Sequence, residues 1–393
     1  MSLRIWSWKL ARGTGAAALA AIAAAGVAPR AGWAQPSPLD TGLWSFPGSA
    51  SAPGSAISAA RALADRWLGE QPFDNPAAPL RGVSGSGVLE RLSRQDLRSD
   101  NRHFSEQAAF FDFGGAWVAV PVRSVGLVAY AYQPLLRLED NAFTRGEVGS
   151  PVQPASIRSN GTSRELRAGL AASKARGKAR AGVAVEWTHR ADAYEVSEQS
   201  GSPDQGLRHL DFSGDALGGQ AGIAWGEDRL ERHAFTFGIG ARLVPRLSLD
   251  GTQRFSLLSG DSVGNVSAQR GSGFEAGASA GYRVQETFRI LVGVGGKSGR
   301  DWDGLGVKSG AGLQWSVAGE FHDRRDPWTL RFGVGQEHER DVAEYRAGLI
   351  GLGLGWKLEH SAFDVGLLHR NMSTADHPTS FDDRLLVSAT ADF

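Results

Sequence analysis

The chain has 393 residues, and 42 Lys and Arg balance 42 Asp and Glu, so no basic excess points to nucleic acid or anionic lipid as a partner. Its 52 glycines follow no collagen period and 41% of residues are hydrophobic, which excludes a fibrous chain and a simple disordered one. No run of about 20 apolar residues follows position 30, which excludes a helical membrane protein.

Residues 1–34 read as an export signal. Arg4, Lys9 and Arg12 precede an apolar run from Gly15 to Val27, and small Gly32 and Ala34 stand ahead of Gln35, where the mature chain then begins. The alternative is an Ala-rich helix of a cytosolic protein. With no cysteine in the chain, an exported form has no disulfides and needs another closure, which hydrogen bonding around a barrel supplies.

Residues 35–83 do not alternate and are rich in Ser, Ala, Pro and Gly. A helix is expected over 55–68 (SAISAARALADRWL). The apolar Leu43, Trp44, Phe46, Leu63, Trp67 and Phe73 either line a pocket or form a small anchoring core.

From about residue 110 onward apolar residues recur at every second position, the strand period. Phe288, Ile290, Val292 and Val294 share one face, with Thr287, Arg289, Gly293 and Gly295 on the other; Ile350, Leu352, Leu354 and Trp356 oppose Gly351, Gly353, Gly355 and Lys357. Strands are expected at 84–97, 110–122, 125–138, 164–175, 179–195, 207–226, 232–244, 273–284, 287–297, 311–322, 328–338, 344–359, 362–370 and 384–393. That is an even count of fourteen, with 247–258 assigned to an outer loop or an extramembrane strand extension. Runs of nine to twelve residues suit a tilted membrane-crossing strand better than a soluble one. Short turns at 123–124, 176–178, 284–287, 323–327 and 360–361 alternate with longer polar segments at 139–163, 197–206, 297–310 and 371–383. Such asymmetry is that of an outer-membrane barrel with trimmed periplasmic turns. Trp225, Trp328 and Trp356 lie near the short turns, at headgroup level. Phe393 ends a strand whose Leu385, Val387, Ala389 and Ala391 share a face, in the manner of a terminal strand offered to the barrel-insertion machinery.

Phe73, Asp74, Asn75, Pro76 and Ala77 form FDNPA, with Ala64 and Asp65 ahead of them. This motif, between an export signal and a barrel of fourteen strands, resembles the FadL-like family of outer-membrane transporters for long-chain fatty acids and other hydrophobic compounds. Ala78 and Pro79 depart from the family pattern, which continues with Gly and an apolar residue. The resemblance implies an N-terminal plug or hatch at 35–83, a barrel at 84–393, and passive uptake of hydrophobic molecules. It also implies a substrate pathway involving Trp67, Phe73, Asn75, Pro76 and Ala77, and a kink in the third strand, at Pro134, that opens the wall sideways. Read from the residues alone, Asn75 and Pro76 are equally a turn, and Pro134 equally a strand end above the bilayer.

Catalysis is not expected. The nine histidines are dispersed without metal-ligand spacing, no G-x-S-x-G elbow occurs, and no residue pattern asks for a cofactor. A general porin and a structural or surface-interaction barrel remain the alternatives. The expected partners are outer-membrane lipid, lipopolysaccharide and a hydrophobic small molecule, with no nucleic acid.

Overall fold

The computed structural model describes residues 54–77, 82–93, 97–99, 102–104, 107–145, 155–199, 206–226, 233–257, 260–285, 287–303, 307–322, 327–340, 346–373 and 380–391. The export signal, Leu43, Trp44, Phe46 and Phe393 lie outside them.

Fourteen antiparallel strands close into one barrel. They are β1 (Gly82–Ser93), β2 (Gln107–Val122), β3 (Val125–Arg145), β4 (Ala155–Arg176), β5 (Ala179–Gln199), β6 (Gly206–Trp225) and β7 (His233–Val244 continued by Leu247–Leu257). Then come β8 (Gly260–Arg270 continued by Gly273–Val284), β9 (Phe288–Lys297 and Arg300–Asp303), β10 (Val307–Ser309 and Ala311–His322), β11 (Trp328–Arg340), β12 (Arg346–Lys357), β13 (Ser361–Ser373) and β14 (Ser380–Ala391). Each pairs with its neighbours in sequence, and β14 closes on β1 from Val83 opposite Ala391 to Ser93 opposite Phe381. A short hairpin, Leu97–Ser99 with Arg102–Phe104, lies in the β1–β2 connection.

Closure pairs every strand with both neighbours over at least part of its length, which satisfies the backbone of a strand protein in lipid. The faces divide accordingly. Ile350, Leu352 and Leu354 of β12 are 51%, 52% and 45% exposed on the outside, whereas inward Leu349 is 1% exposed. Trp225 and Phe235, at 6.1 Å between ring centroids, and the stacked Trp328 and Trp356, at 5.2 Å, ring the short-turn end of this apolar belt. Trp187 marks its upper edge on β5, eight residues from the Ala179 that pairs with Trp225, or about 20 Å at ordinary strand rise and tilt. Immediately above it stands the exposed ion pair of His189 and Asp215, 2.9 Å apart. An apolar belt of that height between aromatic girdles, on a closed barrel, is the outside of an outer-membrane protein.

The expected strands are all present, but several are longer than the alternation marks. The polar segments 139–163 and 297–310 are largely strand, because β3, β4, β9 and β10 continue above the belt, where the outward face no longer needs to be apolar. Residues 247–257 are the upper half of β7, the strand extension of the two readings and not the loop. The side-chain face switches at Pro245 and Arg246, since Val244 and Leu247 both point inward. This break hides the strand from period counting.

Residues 54–77 lie inside the ring. Only α1 (Ala56–Ala60) is helical, capped by the Ser55 hydroxyl, which accepts from the Ser58 N–H at 3.2 Å. The helix expected over 55–68 stops there because Ala62 and Leu63 adopt left-handed backbone conformations (φ 48° and 67°). That turn carries Leu63 against Leu349, Leu368 and Leu386 of the inner wall together with Ala56, Ala59 and Ala62, so packing overrides helix propensity.

Candidate functional site

The N-terminal segment meets the wall through glycine. A Cβ at Gly182, Gly222, Gly238, Gly293, Gly351 or Gly366 would collide, in turn, with Pro76, Asn75, Trp67, Ala64, Ala59 or Ala56. These inward positions on β5, β6, β7, β9, β12 and β13 let segment backbone approach strand backbone directly.

Asn75 is fully buried and joins three elements. Its Nδ2 donates to the Trp67 carbonyl at 2.6 Å, to that of Ile239 on β7 at 3.2 Å and to that of Ile223 on β6 at 3.4 Å. Its Oδ1 accepts from the Ala77 N–H at 3.0 Å, an Asx turn in which Pro76 sets the backbone. The turn and the anchoring are therefore one arrangement. Trp67 packs against Gly238, Gly240 and Gly277, with the Arg66 guanidinium 5.0 Å from its ring, on the side of the lumen away from β3.

Toward β8, β9 and β10 the contact includes buried ion pairs beside the apolar Leu68, Leu291 and Ala318. Arg61 binds Asp65 at 2.8 Å and both Glu70 and Glu320 at 2.5 Å, Arg289 binds Glu70 at 2.8 Å, and Arg66 binds Glu275 at 3.0 Å. Burial opposes ionisation of Glu70, but Arg61 and Arg289 outweigh it and hold the carboxyl well below its ordinary range. Burial pushes Asp74 up to about 7, only partly offset by Arg66 and Arg242 and reinforced by Asp65 and Glu275. A polar cavity of about 50 Å³ lies here, lined by Arg66, Glu275, Lys297, Gln314, Glu337 and Glu339. Its size suits a few water molecules and no larger apolar guest.

On the β2–β5 side the contact is aromatic. Phe73 stacks on Tyr132 with centroids 5.0 Å apart, among Trp117, Val128, Tyr130 and Ala171. The polar atoms around this cluster are engaged. Trp117 Nε1 donates to Gln71 Oε1 at 2.9 Å, Tyr130 donates to Glu186 at 3.0 Å, and Arg167 Nη1 donates to the Tyr132 hydroxyl at 3.3 Å. Arg242 stands at the inner edge, 5.6 Å from the Tyr132 ring centroid. It donates to Glu186 at 2.9 Å, to Gln220 at 3.2 Å and to the Phe73 carbonyl, and pairs with Glu275 at 3.5 Å.

The wall is split beside this cluster. β2 and β3 pair from Val122 with Val125 only as far as Gly115 with Tyr132. Above that level β2 is laddered only with β1 and β3 only with β4, while the hairpin strand Arg102–Phe104 lies against β3. A bulge lies on each side of the parting. One is in the β1–β2 ladder, where Ser86 opposes Gly115 and Gly87 opposes Phe113; the other is at Gln133 and Pro134, where Tyr132 pairs with Arg167 but Leu135 with Glu165. Pro134 is buried at the second, where it has no N–H to offer the ladder. Gly54, which begins the described segment, accepts from the Ser86 hydroxyl at the first.

Of the residues singled out from sequence, Phe73 and Pro134 thus border the split. Asn75, Pro76 and Ala77 anchor the segment on β5, β6 and β7, and Trp67 lies elsewhere in the lumen. Trp117, Tyr130, Tyr132, Glu186 and Arg242 were not singled out. Tyr130 and Tyr132 carried a usable signal, since both fall on the inward face while Leu127 and Ala129 face lipid.

No family profile matches the sequence, and no curated protein does. Solved structures do. The Pseudomonas aeruginosa FadL homologue is 14% identical, with 87% of this chain and 99% of that chain covered and a TM-score of 0.59. The Ralstonia pickettii toluene transporter TbuX is 12% identical over 86% and 98%, with a TM-score of 0.60. The Pseudomonas putida toluene transporter TodX is 12% identical over 86% and 98%, with a TM-score of 0.59. At such identity the likeness is one of architecture: a barrel of fourteen strands with the fold of the FadL-like outer-membrane channels.

Proposed function

We propose that this protein is an outer-membrane channel for passive uptake of hydrophobic small molecules, with the segment 54–77 as its plug and the β2–β3 split as its exit. One observation carries the reading: the split opens beside the aromatic cluster, so an apolar molecule that displaces Phe73 from Tyr132 has a sideways route into the membrane. A continuous aqueous pore is not needed, and the segment that fills the lumen does not block this route. The FadL-like fold supports the reading, as do the two neighbours described as toluene transporters.

Long-chain fatty acids are one substrate class the resemblance suggests, and small aromatic compounds a second, favoured by the flat stacked cluster. The test compares cells making the protein with vector-only cells for uptake of labelled oleate and labelled toluene. Saturable, protein-dependent uptake of either is expected. Uptake of neither, with the barrel present in the outer membrane, would overturn the channel reading. Deleting 54–77 should raise the ion conductance of the purified barrel in planar bilayers, and unchanged conductance would remove the plug.

A further inference from the structure

Arg242 touches both partners of the aromatic stack, the backbone carbonyl of Phe73 and the ring of Tyr132. Phe73 presents its ring to Tyr132 and its carbonyl to the Arg242 guanidinium, and that guanidinium stands over the same Tyr132 ring. A ligand that takes the place of the Phe73 ring by shifting the segment also withdraws the Phe73 carbonyl from Arg242. Arg242 then loses an acceptor while remaining buried, at 2% exposure, between Glu186, Gln220 and Glu275. Arg242 keeps Glu186, Gln220 and Glu275 but is short of one acceptor, so the best ligand replaces both things that leave: a flat ring for Tyr132 and an oxygen acceptor for Arg242. The acceptor need not be charged. Glu186 and Glu275 already face the guanidinium, and a further anion here would meet two carboxylates.

We propose that the preferred ligand is a neutral aromatic carbonyl compound, its ring on Tyr132 and its oxygen accepting from Arg242. This rests on the uptake reading above and narrows its substrate class. A hydrocarbon such as toluene fills the ring position but leaves Arg242 without its acceptor.

Acetophenone and ethylbenzene share ring and chain and differ at the carbon next to the ring, a carbonyl in the first and a methylene in the second. Uptake of each, labelled, is measured in cells making the native protein and in vector-only cells. Acetophenone is expected to half-saturate at about tenfold lower concentration than ethylbenzene, the factor of one hydrogen bond to a charged donor. Arg242→Met is expected to raise the acetophenone value to the ethylbenzene one. Equal half-saturation of the two compounds in the native protein overturns this inference and leaves the channel reading in place. No protein-dependent uptake of either compound, or of oleate and toluene, overturns the channel reading itself. The native comparison decides the matter even where the variant does not reach the membrane.

Discussion

The Asn75 side-chain nitrogen lies 3.2 Å from the carbonyl oxygen of Ile239, so an amide on the N-terminal segment hydrogen-bonds to strand backbone inside the barrel. With the Ile223 and Trp67 carbonyls, it faces three acceptors and no donor. Replacing Asn75 by Asp puts an acceptor-only group against all three, whereas Ala merely leaves them unpaired. Asn75→Asp should therefore loosen the segment more than Asn75→Ala does, with the alanine cost about 1–3 kcal/mol. Hydrogen exchange of residues 54–77 in the two variants ranks them, and equal protection would mean the amide is not what holds the segment.

Gly222 and Gly348 make a matched pair. A Cβ at Gly222 would meet the Asn75 side chain, while one at Gly348 meets nothing within 4 Å. Gly222→Ala is expected to displace the segment and raise bilayer conductance. Gly348→Ala should behave as the native protein does, and a similar rise from both would discount the close approach as the cause.

The β3 bulge is testable by removing its extra residue. Deleting Pro134 leaves one residue opposite Leu166, lets the β3–β4 ladder run through, and favours β3 continuing alongside β2. Uptake should fall by about tenfold or more if the split is the exit. Native uptake at equal surface abundance would assign the exit elsewhere.

Asp74 gives the docked segment a pH dependence. Its docked-state pKa, raised by burial to about 7, lies above the ordinary carboxylate value, so the docked state takes up the proton more readily than the free one. The stabilisation is complete below about pH 4 and is lost as pH rises through about 7. Conductance should accordingly increase between pH 5 and pH 8 (roughly the window these values define), and Asp74→Asn should flatten the profile. A profile unchanged in Asp74→Asn would place the titration on another group.

The barrel was legible because each strand repeats one physical constraint: lipid outside, lumen inside, every second residue. Counting failed where that constraint lapses. In 139–145 and 155–163, above the belt, the outward face need not be apolar and strand reads as loop; past Pro245 the inward face changes parity, which left 247–258 open between loop and strand extension. The FDNPA motif located the anchoring turn. Arg242 could not be found this way, because its five neighbours come from β3, β5, β6, β8 and the segment, and only closure of the ring assembles them.

The contact of Ala56 with Gly366 joins the start of the described chain to its penultimate strand. Docking of the segment must therefore wait until β13 is in place, and the first part of the chain to be made is the last to find its position. On that order of assembly the ring closes hollow first, and its glycine-lined inside would hold water. The final step expels that water as the segment settles, and a barrel caught before it would be inserted, closed and leaky.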